Sequence, residues 1–457
     1  MADLPVVVIG AGPLGLAAAA HLTERGLTPL VLETGQGPAD AVRQWGHVRL
    51  FSAWSELVDP AAARLLARTG WRPPAGGYPT GGEWIADYLA PLARALGDRV
   101  RYGTRVLGVS RRGVDRLVSA DRSGRPFTVH VSAQDGSEAR IDARAVIDAS
   151  GTWSAPNPAG ADGYPAAGER AAAATGWIGY RPPTPGEAQE LAGQRVVIVG
   201  SGHSALTAVV DLAAVVRADP STAITWVLRR GAVGDAYGGG AADQLPRRGA
   251  LGDRARQAVE EGLVRLVTGF RIAEARASGG ADDEGVTLVA EDGRRLSADR
   301  AVVLTGFRPD LSFLSELRLE LDPILQAPVR LAPDIDPNVH SCGSVPPHGE
   351  AELRHPEPGL YLVGMKSYGR APTFLALTGF EQVRSVVAEL AGDHEAARRV
   401  ELTLPETGVC GGAGLLDSPT PGAEADPGCC GPAASAPQLV TLGASRGPSA
   451  GIAGSCC

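Results

Sequence analysis

The chain has 457 residues, 44% of them apolar, enough for about two or three globular domains. A net charge of −8, with arginines scattered rather than striped, excludes a basic nucleic-acid footprint. The first apolar run, VVVIGAGPLGLAAAAHL, has neither a basic flank nor a cleavage site, and no stretch reaches the roughly 18 apolar residues of a membrane span. With almost no cysteine outside the C-terminal tail, the sequence predicts a cytoplasmic protein with no membrane and no nucleic-acid partner.

In chain order, residues 5–34, PVVVIGAGPLGLAAAAHLTERGLTPLVLET, predict a β-α-β unit. A buried strand over Val6 to Ile9 runs into Gly10-x-Gly12-x-x-Gly15, followed by an Ala-rich helix and a strand over Pro29 to Leu32 that ends on Glu33. Gly10 permits the tight turn, Gly12 lets the backbone approach a pyrophosphate, and Gly15 lets the helix pack closely on the strand. The phosphates then meet free N–H groups and the positive end of the helix dipole. Glu33 is placed to accept hydrogen bonds from a ribose diol and would repel a 2′-phosphate, so this loop suits FAD or NAD rather than NADP.

A second unit begins at Gln194 with QRVVIVGSGHSALTAVVDLA and continues to AITWVLRRG. Its loop runs Gly200, Ser201, Gly202, His203, Ser204, Ala205, and its second strand ends on Arg229 and Arg230 instead of an acid. Two guanidinium groups there suit the 2′-phosphate of NADPH, although an Arg pair at a strand end also fits a plain surface in so arginine-rich a chain. Pro- and Gly-rich stretches near 155–190 and 405–457 punctuate the sequence, the first as a hinge and the second too poor in large apolar residues to fold alone. The glycine-rich YGGGAADQ, from Tyr237, has no strand-helix frame and reads either as a substrate or nicotinamide loop or as plain surface. Lys366 is the single lysine among 43 basic residues. It reads either as a placed point charge for the flavin, the pyrophosphate or an anionic substrate, or as an ordinary surface lysine.

Two such units resemble the two-dinucleotide-binding-domain flavoproteins, with the Pro13-Leu14 step of GAGPLG similar to their FAD loop. AVIDASGTW, with Asp148 to Gly151, and AVVLTGFRPDL, carrying Thr305 and Gly306, resemble the exits from the FAD and NADPH domains. GLYLVGMKSYGRAPTFLALTGFEQVRS resembles the late FAD motif, with Gly364 and Thr373 as cofactor contacts and Met365 where the fold usually carries Asp. The resemblance covers residues 5 to 395. It implies an α/β fold of two Rossmann-like domains: 1–155 and 311–400 binding FAD, 156–190 as linker, 191–310 binding NADPH, and 401–457 as a disordered tail.

Residues 1–409 hold one cysteine, Cys342, which excludes a disulfide reductase working through a body dithiol. The class B flavin monooxygenases remain. WGHVRLFSAWSEL and YPTGGEWIADYL resemble their flavin-lining segments, which brings in Trp45, Arg49, Ser52 and Trp54, although a stripe of Trp and Leu also reads as core; the FxGxxxHxxxW fingerprint of the Baeyer–Villiger enzymes is missing. VRLFSAW, GSGHSA, GMKSYGRAPTFLALTGFEQVRS and LPETGVC are similar to the monooxygenases of bacterial arsenic-resistance operons. The resemblance implies an NADPH- and FAD-dependent monooxygenase acting on a small molecule, an arsenical, through hydride transfer to FAD and a flavin C4a-hydroperoxide formed with O2, with Lys366 and Trp54 as catalytic candidates. The competing reading is an NADPH-dependent flavin reductase or thiol oxidoreductase that passes electrons to the tail. Cys410, Cys429, Cys430, Cys456 and Cys457 sit there, and their soft thiolates suit As(III).

Overall fold

The strand Val6–Ile9 is buried along its whole length and pairs on both edges, which is why it reads as an unbroken apolar run. In this computed structural model it forms the centre of a five-stranded parallel sheet. The order is Leu360–Leu362, Ala145–Asp148, Val6–Ile9, Pro29–Leu32, Val100–Arg101. A second five-stranded parallel sheet has the order Val264–Val267, Ala223–Val227, Arg195–Val199, Arg300–Val303, Ile178–Gly179. Two three-stranded antiparallel sheets accompany them, one over Arg105–Arg111, Phe127–Ser132 and Glu138–Ala143, the other over Ile272–Ala277, Val286–Ala290 and Arg295–Ala298. The structure describes residues 4–238, 246–277, 284–337, 345–372 and 374–402. The chain divides into two compact units, Met1–Ser418 and Pro419–Cys457, and every described residue falls in the first.

The helix Pro13–Glu24 starts on a proline, whose missing N–H costs nothing at a helix N-terminus. Leu14 to Leu22 are all buried between the first sheet and the helix Ala376–Leu390, and four consecutive alanines allow that close approach. No helix of the described residues is long and apolar enough to cross a membrane.

Residues 156–190, expected as a linker, are built into the second sheet's surroundings. They carry the helices Glu169–Ala174 and Pro185–Glu190 and the edge strand Ile178–Gly179, with Ala166, Ala172 and Ile178 in a core shared with Val197 and Val303. The glycines that suggested slack are tightly packed. A Cβ on Gly160 would come within 1.9 Å of the Tyr164 carbonyl, and one on Gly168 within 2.2 Å of the Ala275 carbonyl.

The chain crosses between the two parallel sheets at 149–158 and returns at 304–308, and the crossings are laced together. The Asn157 amide donates to Gly306 O at 2.8 Å, Asn157 Nδ2 to Thr305 O at 3.0 Å, and Thr305 Oγ1 to Asn157 O at 2.9 Å. Arg308 Nε closes the knot on Asn157 Oδ1 at 2.8 Å, and the rings of Trp153 and Phe307 lie 4.9 Å apart.

Candidate functional site

Both glycine loops open at the carboxyl edges of the parallel sheets, where open α/β sheets take ligands. Gly10 has φ +97°, a left-handed conformation suited to glycine, and a Cβ there would meet Ala149 O at 2.9 Å. A Cβ on Gly15 would stand 1.9 Å from Gly10 O, so helix and turn touch backbone to backbone. Gly12 differs: nothing lies within 4 Å of its Cβ position, which leaves the loop's outer side open beside the helix N-terminus. Glu33 lies across that loop. One carboxylate oxygen accepts from the Ala11 amide and the other from the Gly35 amide, each at 2.7 Å.

The late motif converges on the same place. A Cβ on Gly364 or on Gly379 would meet Leu14 Cδ1 at 2.4 Å, so both glycines exist to let the 364–368 turn and the N-terminus of helix Ala376–Leu390 settle on Leu14. Gln382 anchors the turn: its Oε1 accepts from the Gly364 amide at 2.7 Å, and its Nε2 donates to Ser367 Oγ at 2.9 Å and to His348 Nε2 at 2.8 Å. His348 Nδ1 donates to the Pro346 carbonyl at 3.0 Å, and burial holds the ring's pKa below the usual histidine range, so it stays neutral in this network.

Lys366 is 1% exposed and Asp148 is 0% exposed. The Lys366 ammonium lies 2.9 Å from Asp148 Oδ2, donates to Ser150 Oγ at 2.7 Å, and stands 4.6 Å from the centre of the Phe313 ring. Asp148 Oδ1 in turn accepts from the Ser150 amide and hydroxyl at 3.0 and 2.6 Å. The lysine is thus a buried clamp on the 148–150 turn, whose Ala149 and Ser150 backbone abuts Gly10. Because it is the only lysine, an amine-directed reagent is expected to modify no side chain of the folded protein and to reach Lys366 on unfolding, read by intact mass.

In the second loop, Gly200 has φ +129° and a Cβ there would meet Leu304 O at 2.2 Å, while the Trp226 indole donates to Gly200 O at 2.7 Å. Gly202 is open like Gly12, and Ala205 is fully buried, so a methyl fits where the first loop needs hydrogen. Ser204 is half-buried in the first turn of helix His203–Ala218. The two arginines diverge: Arg230 donates to Ser201 Oγ, within the loop, at 3.1 Å, whereas Arg229 donates to the Ala161 carbonyl at 3.0 Å.

Of the flavin-lining expectations, Trp45 lies against Gly81, whose Cβ would meet the indole at 2.8 Å. Arg49 is exposed, donating to Tyr78 O at 2.5 Å with Glu83 3.5 Å away, and Ser52 is half-buried. Trp54, expected as a catalytic candidate, is buried in the first apolar core among Leu57, Trp84 and Tyr88. Gly151, with φ +69°, follows the clamped turn. Thr373, the five tail cysteines and most of YGGGAADQ lie outside the described residues. Motif reading singled out the 148–151 turn but not its pairing with Lys366, and it missed Gln382; both depend on partners distant in sequence.

Residues 7–329 match the pyridine nucleotide-disulphide oxidoreductase family. No curated protein matches the chain. Among solved structures, bacillithiol disulfide reductase Bdr (YpdA) from Bacillus cereus is 20% identical, covering 85% of this chain and 99% of its own, with a TM-score of 0.62. A flavin-containing monooxygenase from Stenotrophomonas maltophilia is 23% identical over 86% of this chain and 99% of its own, with a TM-score of 0.54. The ornithine hydroxylase PvdA from Pseudomonas aeruginosa is 18% identical over 85% and 99%, with a TM-score of 0.55. At these identities the likeness is one of fold, and the family match spanning most of the body places this chain in the pyridine nucleotide-disulphide oxidoreductase family.

Proposed function

We propose that the protein is an FAD-dependent, NADPH-consuming monooxygenase of the class B type that oxidises a small molecule, an arsenical by its sequence resemblance. The observation that carries this reading is the pair of open glycine loops, one faced by Glu33 and the other by Arg230, in a body whose sequence holds one cysteine before residue 410. A reductase working on a disulfide next to the flavin needs two. The overall change balances as substrate, O2, NADPH and a proton giving the oxygenated substrate, water and NADP+.

The residues present fit both cofactors. The open faces of Gly12 and Gly202 are the spaces a side chain would fill and a pyrophosphate can take. Glu33 has lone pairs left for ribose hydroxyls, and Arg230 can grip a 2′-phosphate. When bound, FAD supplies the hydride acceptor and the centre at which O2 is activated. The protein contributes the rest: Lys366 and Asp148 hold the turn behind Gly10, and the N-terminus of helix Ala376–Leu390 brings a positive dipole end beside Gly364.

The two glycines of one motif should fail differently. Gly12 has an ordinary φ of −74° and open space, so Gly12→Val is expected to fold with nearly normal thermal stability yet carry almost no flavin absorbance. Gly15→Val, forced into Gly10 O, is expected not to accumulate as folded protein, as near-UV circular dichroism would show.

The function is tested by NADPH oxidation under isotopically labelled O2, with and without arsenite or a methylated trivalent arsenical. An arsenical-dependent rise in NADPH consumption with labelled oxygen in the product is expected. Oxygen-independent consumption that reduces a disulfide formed by the tail cysteines to two thiols would instead establish the thiol oxidoreductase. The tail cysteines Cys410, Cys429, Cys430, Cys456 and Cys457 are proposed as thiolate ligands that gather As(III). Replacing all five by Ser should weaken arsenite binding measured calorimetrically, and unchanged affinity would remove that role.

A further inference from the structure

Phe51 belongs by sequence to the flavin-side segment and by packing to the other module. Its neighbours Leu50 and Trp54 join the apolar core of the first sheet, whereas Phe51 packs on the core beneath the second. Its ring meets that of His203, the first residue of helix His203–Ala218, with centroids 5.2 Å apart and planes inclined by 65°, an edge-to-face contact. Phe51 is half-buried and His203 exposed, so this is a surface-to-surface meeting and not an interior packing site.

A further contact joins the same segments. The guanidinium of Arg247, in the first turn of helix Pro246–Glu260, stands 4.7 Å over the ring of Tyr78, whose carbonyl accepts from Arg49. Two contacts therefore set the flavin-side segment against the elements that carry and follow the second glycine loop.

We propose that Phe51 is a positioning residue for hydride transfer: by docking on His203 it fixes how far the second dinucleotide lies from the first. The proposal rests on the FAD and NADPH reading above. The contact leaves the Gly202 side of the loop open, so Phe51 does not occupy the pyrophosphate cradle. Its loss should therefore leave NADP+ affinity intact while misaligning the reacting ends, and misplacement on the order of 1 Å costs about 100-fold in rate.

The test uses FAD-loaded protein carrying Phe51→Ala, Phe51→Leu or Phe51→Tyr. Calorimetry gives the NADP+ dissociation constant, and anaerobic mixing with saturating NADPH gives the rate of flavin bleaching. Expected are unchanged NADP+ affinity, bleaching slowed about 10- to 100-fold in Phe51→Ala, intermediate loss in Phe51→Leu, and recovery in Phe51→Tyr, which restores the ring contact. Steady-state kinetics should show a lowered kcat at constant KM for NADPH. Wild-type bleaching rates in both non-aromatic variants would overturn the proposal, as would a slowing matched by an equal loss of NADP+ affinity. Wild-type protein that binds no FAD or is not reduced by NADPH would sink the functional reading itself, an outcome distinct from the loss of Phe51's role.

Discussion

Replacing Lys366 by Met is expected to destabilise the protein by about 3–5 kcal/mol, because it strands the fully buried Asp148 carboxylate without its counter-charge. The cost lies in the uncompensated charge and not in lost packing, since Met fills a similar volume. The double variant Lys366→Met with Asp148→Asn should therefore recover most of the stability in denaturant titrations. Lys366→Arg keeps the charge but must fit a larger planar group between Asp148, Ser150 and the Phe313 ring, which overpacks the site at about 1–3 kcal/mol. That cost offers a physical reason why lysine survives here in a chain whose other basic residues are all arginine. If Lys366→Met matches wild type in stability, the pair is not the buried clamp described. FAD content should fall with stability, since the clamped Ala149 and Ser150 backbone is what Gly10 packs against.

The nucleotide loops were legible because their chemistry is local. A tight turn, a close helix and a strand-end acid all lie within one β-α-β unit, and each glycine's role follows from steric rules that do not depend on the rest of the chain. The Lys366 clamp was not legible, because it depends on sheet order. Leu362 pairs with Asp148 only once the strand Leu360–Leu362 takes the edge beside Ala145–Asp148, and that register carries Lys366 over the 148–150 turn. Gln382 is hidden for a similar reason, as a polar side chain on a buried helix face whose partners Gly364 and His348 lie on separate segments. Trp54 and Phe51 show the limit of reading aromatic stripes. Nothing in RLFSAW says that one ring enters its own core while its neighbour crosses to the other module. The 156–190 segment misled because glycine supplies close packing as well as slack, and Gly160 and Gly168 serve the former.

Arg230→Ala is expected to raise KM for NADPH by roughly 10- to 150-fold with little change for NADH, the equivalent of about 1.5–3 kcal/mol for hydrogen bonds to a charged group. Sequence alone treats Arg229 and Arg230 as a matched pair, but the geometry separates them. Arg230 reaches back to Ser201 Oγ, so its guanidinium lies along the glycine loop, where it would meet the 2′-phosphate under the proposed NADPH reading. Arg229 is directed to the Ala161 carbonyl, just after the crossing between the sheets, and would have to leave that contact to reach a phosphate. Arg229→Ala should therefore shift the NADPH preference much less. Holding a side chain near its bound position lowers the ordering cost of binding, so Ser201→Ala should weaken NADPH modestly through Arg230 and have no further effect in the Arg230→Ala background. Steady-state KM ratios for the two nucleotides across the three single variants and the double variant measure this coupling. Equal effects at Arg229 and Arg230, or a Ser201→Ala effect that persists without Arg230, would show that the second loop selects its nucleotide by some other arrangement.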